Sequence, residues 1–192
     1  WRDPYAAPVP LGDPDDVDLA SLRIATFTDS GVAPADGDTV ATVDSVVEAL
    51  AEAGISIEEG RPTGIEESQD LFMAILRADA GAGVRDLLSA AGTSETHPLL
   101  QQMQERQGSE PLSAAEFADL LVRLDEFRGT MLSFMETYDA IVCPVWATPA
   151  IPHGTFFDEV WPDSSYSLQF NLTGWPGAVV RAGTSGDGLP IG

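Results

Sequence analysis

An α/β fold, a parallel sheet covered by helices, is the architecture this sequence predicts, and three observations carry the prediction. A strand, a helix and a second strand follow one another between Leu22 and Ile57. A long helix of apolar period runs from Ser113 to Tyr138. The run Asp139 to Cys143 is short and apolar on both faces, as strands inside parallel sheets are.

Each element follows from local chemistry. Residues 1–20 are rich in Pro and Asp without a sustained period, and read as an extended lead-in. Leu22 to Phe27 is the first strand. Asp38 is the expected N-cap of a helix in which Val40, Val43, Val47 and Leu50 form one apolar stripe. Gly54 ends that helix by adopting a left-handed conformation, and Ile55-Ser56-Ile57 alternates as the next strand. A strand–helix–strand unit of this length closes as a right-handed parallel crossover.

Leu71, Phe72, Ile75 and Leu76 mark a second helix, expected to break at Gly81 and Gly83, with a shorter turn over Val84 to Ala90. Pro98 is placed to start another helix, where a missing N–H costs nothing. Ser113 and Glu116 form a capping box ahead of the longest helix. Its stripe is Phe117, Leu120, Leu121, Leu124, Phe127, Met131, Phe134, Met135 and Tyr138, and Gly129 within it suggests a close packing contact. Pro144, Pro149, Pro152 and Pro162 are expected to keep the following loop extended. Ala178 to Ala182 is a further strand, joined through Thr184–Gly188 to a return strand beginning at Leu189. That return strand stops at Gly192 and the chain opens on Trp1, so a piece of a longer protein is expected.

Composition narrows the function. A chain of 192 residues, 44% hydrophobic, can bury one core and is read as a single domain over 1–192. No apolar run is long enough to span a bilayer and no signal peptide opens the chain. With the lone Cys143, which fits a reducing compartment, this points to the cytoplasm. The net charge of −22 speaks against nucleic acid, whose phosphates need clustered Lys and Arg. The acidic stretch Asp13 to Asp18 lacks the glycine and terminal glutamate of a calcium loop and reads as a solvated turn. Acidity of this degree suits high salt, which screens self-repulsion, although a GC-rich coding bias would also replace Lys by Arg.

The chain offers few side chains for chemistry. His97 and His153 both neighbour proline in loops and lack metal-ligand spacing. Cys143 reads as a packed thiol. The loop Pro144 to Trp161 collects Trp146, Thr148, His153, Phe156, Phe157 and Trp161 just beyond a buried strand, where α/β sheets place ligands. For Trp146 and Thr148, pocket lining and plain cover for the core both remain open. Gln169 and Asn171 precede a Gly174-Trp175-Pro176-Gly177 turn, and such amides commonly tie loops to backbone. Arg123 and Arg128 lie on the polar side of the long helix, where solvated ion pairs are the rule.

Three stretches go further. Tyr138-Asp139-Ala140-Ile141-Val142-Cys143-Pro144-Val145-Trp146-Ala147-Thr148-Pro149 is the first of them. Phe170-Asn171-Leu172-Thr173-Gly174-Trp175-Pro176-Gly177 and Gly186-Asp187-Gly188-Leu189-Pro190-Ile191-Gly192 are the others. Together they resemble the C-terminal part of the amidase signature family. From Ser21-Leu22-Arg23-Ile24-Ala25 onward the order of elements is also similar, and the middle from Gly60 to Glu110 keeps family spacing without diagnostic motifs. Family enzymes cleave or transfer C–N amide bonds with a serine, activated through a second serine by a lysine. All nine basic residues here are arginines, and the glycine- and serine-rich signature has no counterpart.

The resemblance therefore implies an incomplete amidase signature fold, the C-terminal part of a mixed β-sheet covered by helices. It implies no catalytic residue in this chain, no metal and no organic cofactor. It also implies a pocket shared by Trp146, Thr148, Trp161, Gln169 and Asn171. The expected partners are the N-terminal catalytic part of the same protein and a small amide, with a homodimer compatible and no nucleic acid or membrane. The glutamine-hydrolysing subunit of a tRNA-dependent amidotransferase is an alternative, and a non-catalytic interaction domain is the alternative from another class.

Overall fold

The computed structural model describes residues 9, 12–106, 108, 110–155 and 161–192. Three parallel strands form its main sheet in the order β2–β1–β3: β1 is Arg23–Thr26, β2 is Ser56–Glu59 and β3 is Ala140–Val142. Ile24 aligns with Ile57 on one side and Ala140 on the other, so one register serves both pairs. Between β1 and β2 runs helix α1, Gly37–Glu52, which makes the expected parallel crossover. Its N-cap is Asp36 rather than Asp38, because the Asp36 carboxylate accepts from the Thr39 N–H at 2.8 Å. Thr39 and Thr42 are buried beside Val43, while Val40, Val47 and Leu50 are only half-buried. Gly54 follows with φ +89°.

The other helices are α2 (Ser68–Leu76), α3 (Ala82–Ala90), α4 (Pro98–Glu105), α5 (Ala114–Met135) and α6 (Leu168–Thr173). The Ser113–Glu116 capping box opens α5 with both of its hydrogen bonds made. One core forms where Leu120, Leu124, Phe127 and Met131 of α5 meet Leu71 of α2 and Leu172 of α6. A second core sits at the end of the sheet, where Phe27, Ala33, Ile65, Ala147 and Tyr166 pack together and Ile141 and Cys143 lie against them.

The structure corrects several expectations. The lead-in contains two single 3-10 turns, Pro14–Asp16 and Leu19–Ser21, capped by the carboxylates of Asp13 and Asp18. Gly81 does precede a helix start with φ +76°, but Gly83 lies inside α3, where its N–H donates to the Asp79 carboxylate. Nothing lies within 4 Å of a Cβ built on Gly129, so no close contact explains that glycine. The buried stripe of α5 is narrower than its apolar sequence, since Phe117 and Leu121 face outward. Tyr138 falls beyond the helix, where its ring meets Phe134 and its hydroxyl donates to Glu58 at 3.1 Å. Strand β3 is half-buried along its length, because it forms an edge of the three-stranded sheet. Pro162 does not hold the loop extended but opens a 3-10 helix, Pro162–Tyr166.

The last hairpin pairs Gly183–Thr184 (β4) with Pro190–Ile191 (β5), antiparallel, and turns at Gly188 with φ +84°. Ala178 to Ala182 is not a paired strand. Its end does meet β5, where the Ala182 N–H donates to the Ile191 carbonyl at 2.8 Å, but Val179 and Val180 are exposed and belong to no strand.

Candidate functional site

The three parallel strands all end on one side, and the loops that leave β1 and β3 meet there. The Asp36 N–H donates to the Ala147 carbonyl at 2.8 Å, and the Ala147 N–H donates to the Asp163 carbonyl at 3.1 Å. The 3-10 turn Pro162–Tyr166 ties this junction together. The Tyr166 hydroxyl reaches the carbonyls of Thr28 at 2.6 Å and Ala33 at 2.7 Å, and burial pushes its phenol up to about 12. The hydroxyls of Ser30 and Ser165 lie 2.6 Å apart and are both buried. Gln69 of α2 adds its side-chain amide, donating to the Trp161 carbonyl at 2.6 Å. These bonds fix the described parts of the loops on the sheet.

Against this platform the segment after β3 and the terminal hairpin face each other. The Val145 N–H donates to the Gly192 carbonyl at 3.3 Å. Between them lies a cleft of about 220 Å³, with Trp146, Thr148 and Ile151 on one wall and Pro190 and Ile191 on the other. Thr148 contributes a hydroxyl to the wall, which donates to the Asp163 carboxylate across 3.5 Å. Burial raises the Asp163 pKa first of all. The Thr148 hydrogen bond offsets part of that, and the nearby negative charge of Asp36 adds to it.

Of the expected pocket residues, the structure brings Trp146 and Thr148 to this cleft and places the others elsewhere. Trp161 lies against Phe72 of α2, with ring centroids 6.3 Å apart. Gln169 is fully buried in α6, where its amide donates to the Tyr166 carbonyl at 2.6 Å. Asn171 is exposed on the same helix. His97 caps α4 through Nδ1, and His153 is exposed. Arg128 is not simply solvated, since its Nε donates to the Leu172 carbonyl at 2.9 Å and so ties α5 to α6. Phe156 and Phe157 lie outside the described residues.

Sequence reasoning missed the hairpin wall and the part played by Asp163. Pro190 is some forty residues from Thr148, and no local pattern couples them. The short run Pro162-Asp163-Ser164-Ser165-Tyr166 did hold a signal, because proline followed by Asp and Ser favours a turn with internal hydrogen bonds.

Chemically, the cleft offers apolar and ring surface with the Thr148 hydroxyl beside it. It is poorly suited to making a nucleophile. The Ser30–Ser165 pair is sealed from solvent, and the chain contains no lysine to take its proton. The Cys143 thiol is pushed up to about 12 by burial, far from the thiolate that attack requires.

Comparison with known proteins extends this picture. The family model described as Amidase matches residues 3–192. An acylamidase of Rhodococcus erythropolis is 27% identical over 191 residues, which covers 91% of this chain and 38% of that protein. The chain thus spans well under half the length of that curated relative. Among solved structures, a fatty acid amide hydrolase superposes with a TM-score of 0.71 at 24% identity, covering 88% of this chain and 29% of that one. A glutamyl-tRNA(Gln) amidotransferase subunit of Thermotoga maritima gives a TM-score of 0.65 at 17% identity, covering 90% of this chain and 38% of that one. At such identities both structures speak for the fold.

Proposed function

The chain belongs to the amidase signature family, and from that premise we propose that it forms the C-terminal, substrate-holding part of a hydrolase that cleaves carbon–nitrogen amide bonds. The observation that carries this reading is the pairing of a family match along almost the whole chain with the complete lack of lysine. A serine outside this segment would attack the amide carbonyl, form an acyl-enzyme and release ammonia or an amine. Water would then release the acid. The activating serine and lysine, and the donors that stabilise the oxyanion, would come from the same missing part. This segment would supply edge strands, covering helices and the cleft beside Trp146. Its partners would be that catalytic part and a small amide.

The test is direct. Incubated alone with a panel of aliphatic and aromatic amides, this polypeptide should release no ammonia above buffer, whereas the intact enzyme should. Turnover by the isolated segment, abolished by a serine-acylating inhibitor, would overturn the division of labour. A glutamine-hydrolysing component of an amidotransferase is the second reading, supported by the shared fold of the Thermotoga maritima protein. Ammonia release from glutamine that depends on a partner chain would favour it.

A further inference from the structure

We infer that Tyr166, backed by Ser165 and Ser30, is a positioning residue for the amide substrate. Its hydroxyl holds the loop after β1, and that loop fixes where the backbone at Ala147 carries Trp146 and Thr148. The inference rests on the reading of the chain as the substrate-holding part of an amidase, and it names the side chains that set that part in place. Its first support is a contrast between two elements. The buried residues of α5 are Leu120, Leu124, Phe127 and Met131, whereas those of the turn Pro162–Tyr166 are Ser164, Ser165 and Tyr166. Buried hydroxyls add little net stability over the water bonds they give up, but a satisfied network of them specifies one arrangement. More chain packed around this segment can only bury them further.

The hydrogen bonds of the network account for one another. The Ser30 and Ser165 hydroxyl oxygens lie 2.6 Å apart, and the Ser30 oxygen lies 3.1 Å from the Ala33 carbonyl. The Tyr166 oxygen is 2.6 Å from the Thr28 carbonyl and 2.7 Å from that of Ala33. A hydroxyl has a single proton to give. With Ser165 donating to Ser30 and Ser30 to Ala33, Tyr166 is left to donate to Thr28, and each proton has its own acceptor.

The network reaches the segment after β3 through the backbone. The Ala35 N–H closes the loop after β1 on the Thr28 carbonyl at 2.9 Å, and the next N–H, that of Asp36, donates to the Ala147 carbonyl at 2.8 Å. From the other side, the Ala147 N–H donates to the Asp163 carbonyl, in the turn that carries Tyr166 itself. Ala147 is thus held through both of its backbone groups and is 1% exposed. Its neighbours Trp146 and Thr148 take their places from it. The Tyr166 ring stacks on Phe27 with centroids 6.1 Å apart, so Tyr166→Phe removes the hydroxyl while the ring keeps its packing.

The experiment uses the intact enzyme with benzamide and hexanamide as probes, and follows whichever the unaltered enzyme turns over faster. Tyr166→Phe should raise KM about fivefold or more and leave kcat within about twofold, because a displaced loop loses binding that the bound amide and its transition state share. Ser165→Ala, which removes one proton from the network, should raise KM about threefold. Met131→Ala, in the core along α5, serves as the control. It should destabilise the protein more than either, yet leave KM unchanged well below its melting temperature. Combining Tyr166→Phe with Trp146→Ala should raise KM by less than the product of the two single effects, since both act through one segment.

Unchanged KM in Tyr166→Phe and Ser165→Ala, with a lowered melting temperature, would overturn the inference and leave the amidase reading intact, because the hydroxyls would serve packing alone. An equal rise in KM for Met131→Ala, or effects of Tyr166→Phe and Trp146→Ala that simply multiply, would overturn it as well. Where Tyr166→Phe fails to fold, Ser165→Ala decides by the same criteria. Failure of the unaltered enzyme to hydrolyse either probe or any other amide would sink the amidase reading and this inference together.

Discussion

At the scale of single residues, Trp146 in the cleft and Cys143 beside the second core lend themselves to opposite tests. Trp146 lines the cleft and is half-buried, outside both hydrophobic cores. In the intact enzyme, Trp146→Ala should therefore raise KM or shift selectivity at least fivefold while moving the melting temperature little. Unchanged kinetics with a large loss of stability would instead mark it as a core residue. Cys143 stands at the opposite pole. Burial lifts its thiol from 9.0 to about 12, so the folded chain should hold about a thousandfold less thiolate than the unfolded one near pH 8. Cys143 is half-buried, so iodoacetamide should modify it far more slowly in the native protein than after denaturant is added, and equal rates would contradict the raised pKa. The linkage has a definite sign. The folded state keeps a proton that the unfolded state releases, so this group's contribution falls as pH climbs from 9.0 towards about 12.

At the scale of elements, α5 is where sequence pattern and packing can be separated by measurement. Met131 is fully buried among Leu71, Leu124, Phe127 and Leu172. Met131→Ala should cost about 3 kcal/mol through lost burial and a residual cavity. Gly129, just before it in the same helix, has open space where a Cβ would stand. Gly129→Ala should stabilise the segment by about 1 kcal/mol, since alanine restricts the unfolded chain and favours helix. Thermal unfolding of both variants checks this, with roughly 2–4 °C expected per kcal/mol for a chain of this size. A destabilised Gly129→Ala would restore the close contact that the helix sequence suggested.

For the whole molecule, charge is the dominant variable. Nine arginines face 31 acidic residues, and the described ion pairs Arg61–Asp29 at 3.9 Å and Arg128–Asp125 at 3.4 Å are partly exposed. Exposed pairs of this kind contribute little, so repulsion among the remaining carboxylates is largely uncompensated. Contracting the screening length from about 10 Å at 0.1 M salt to about 3 Å at 1 M should relieve it and raise the melting temperature. A flat or falling curve across that range would favour coding bias over salt adaptation. Among the described residues no helix is long and apolar enough to cross a membrane.

Much of the fold was legible because its signals are local. The Ser113–Glu116 box, the turn at Gly54 and the β1–α1–β2 crossover each depend on residues within one or two turns of chain. Family membership was legible too, from the runs around Cys143, Asn171 and Gly188. Where the sequence misled, a long-range contact was present or lacking. Asp36 outcompetes Asp38 as the cap of α1, and the Asp38 carboxylate instead accepts from the Gly186 N–H at 2.8 Å, 148 residues away. Ala178–Ala182 has strand composition, yet a strand needs a continuous ladder, and here it is the Ala182 N–H that bonds to the neighbouring Ile191 carbonyl while Val179 and Val180 stay outside any strand. The candidate site shows the same limit. Aromatic and proline content marked the loop after β3 as a place for ligands, but only the folded chain could set Pro190 and Ile191 opposite Trp146 and Asp163 behind Thr148. Propensity, capping and turns are properties of neighbouring residues and can be read along the chain, whereas a cleft is a relation between distant segments and arises only from how the whole chain packs.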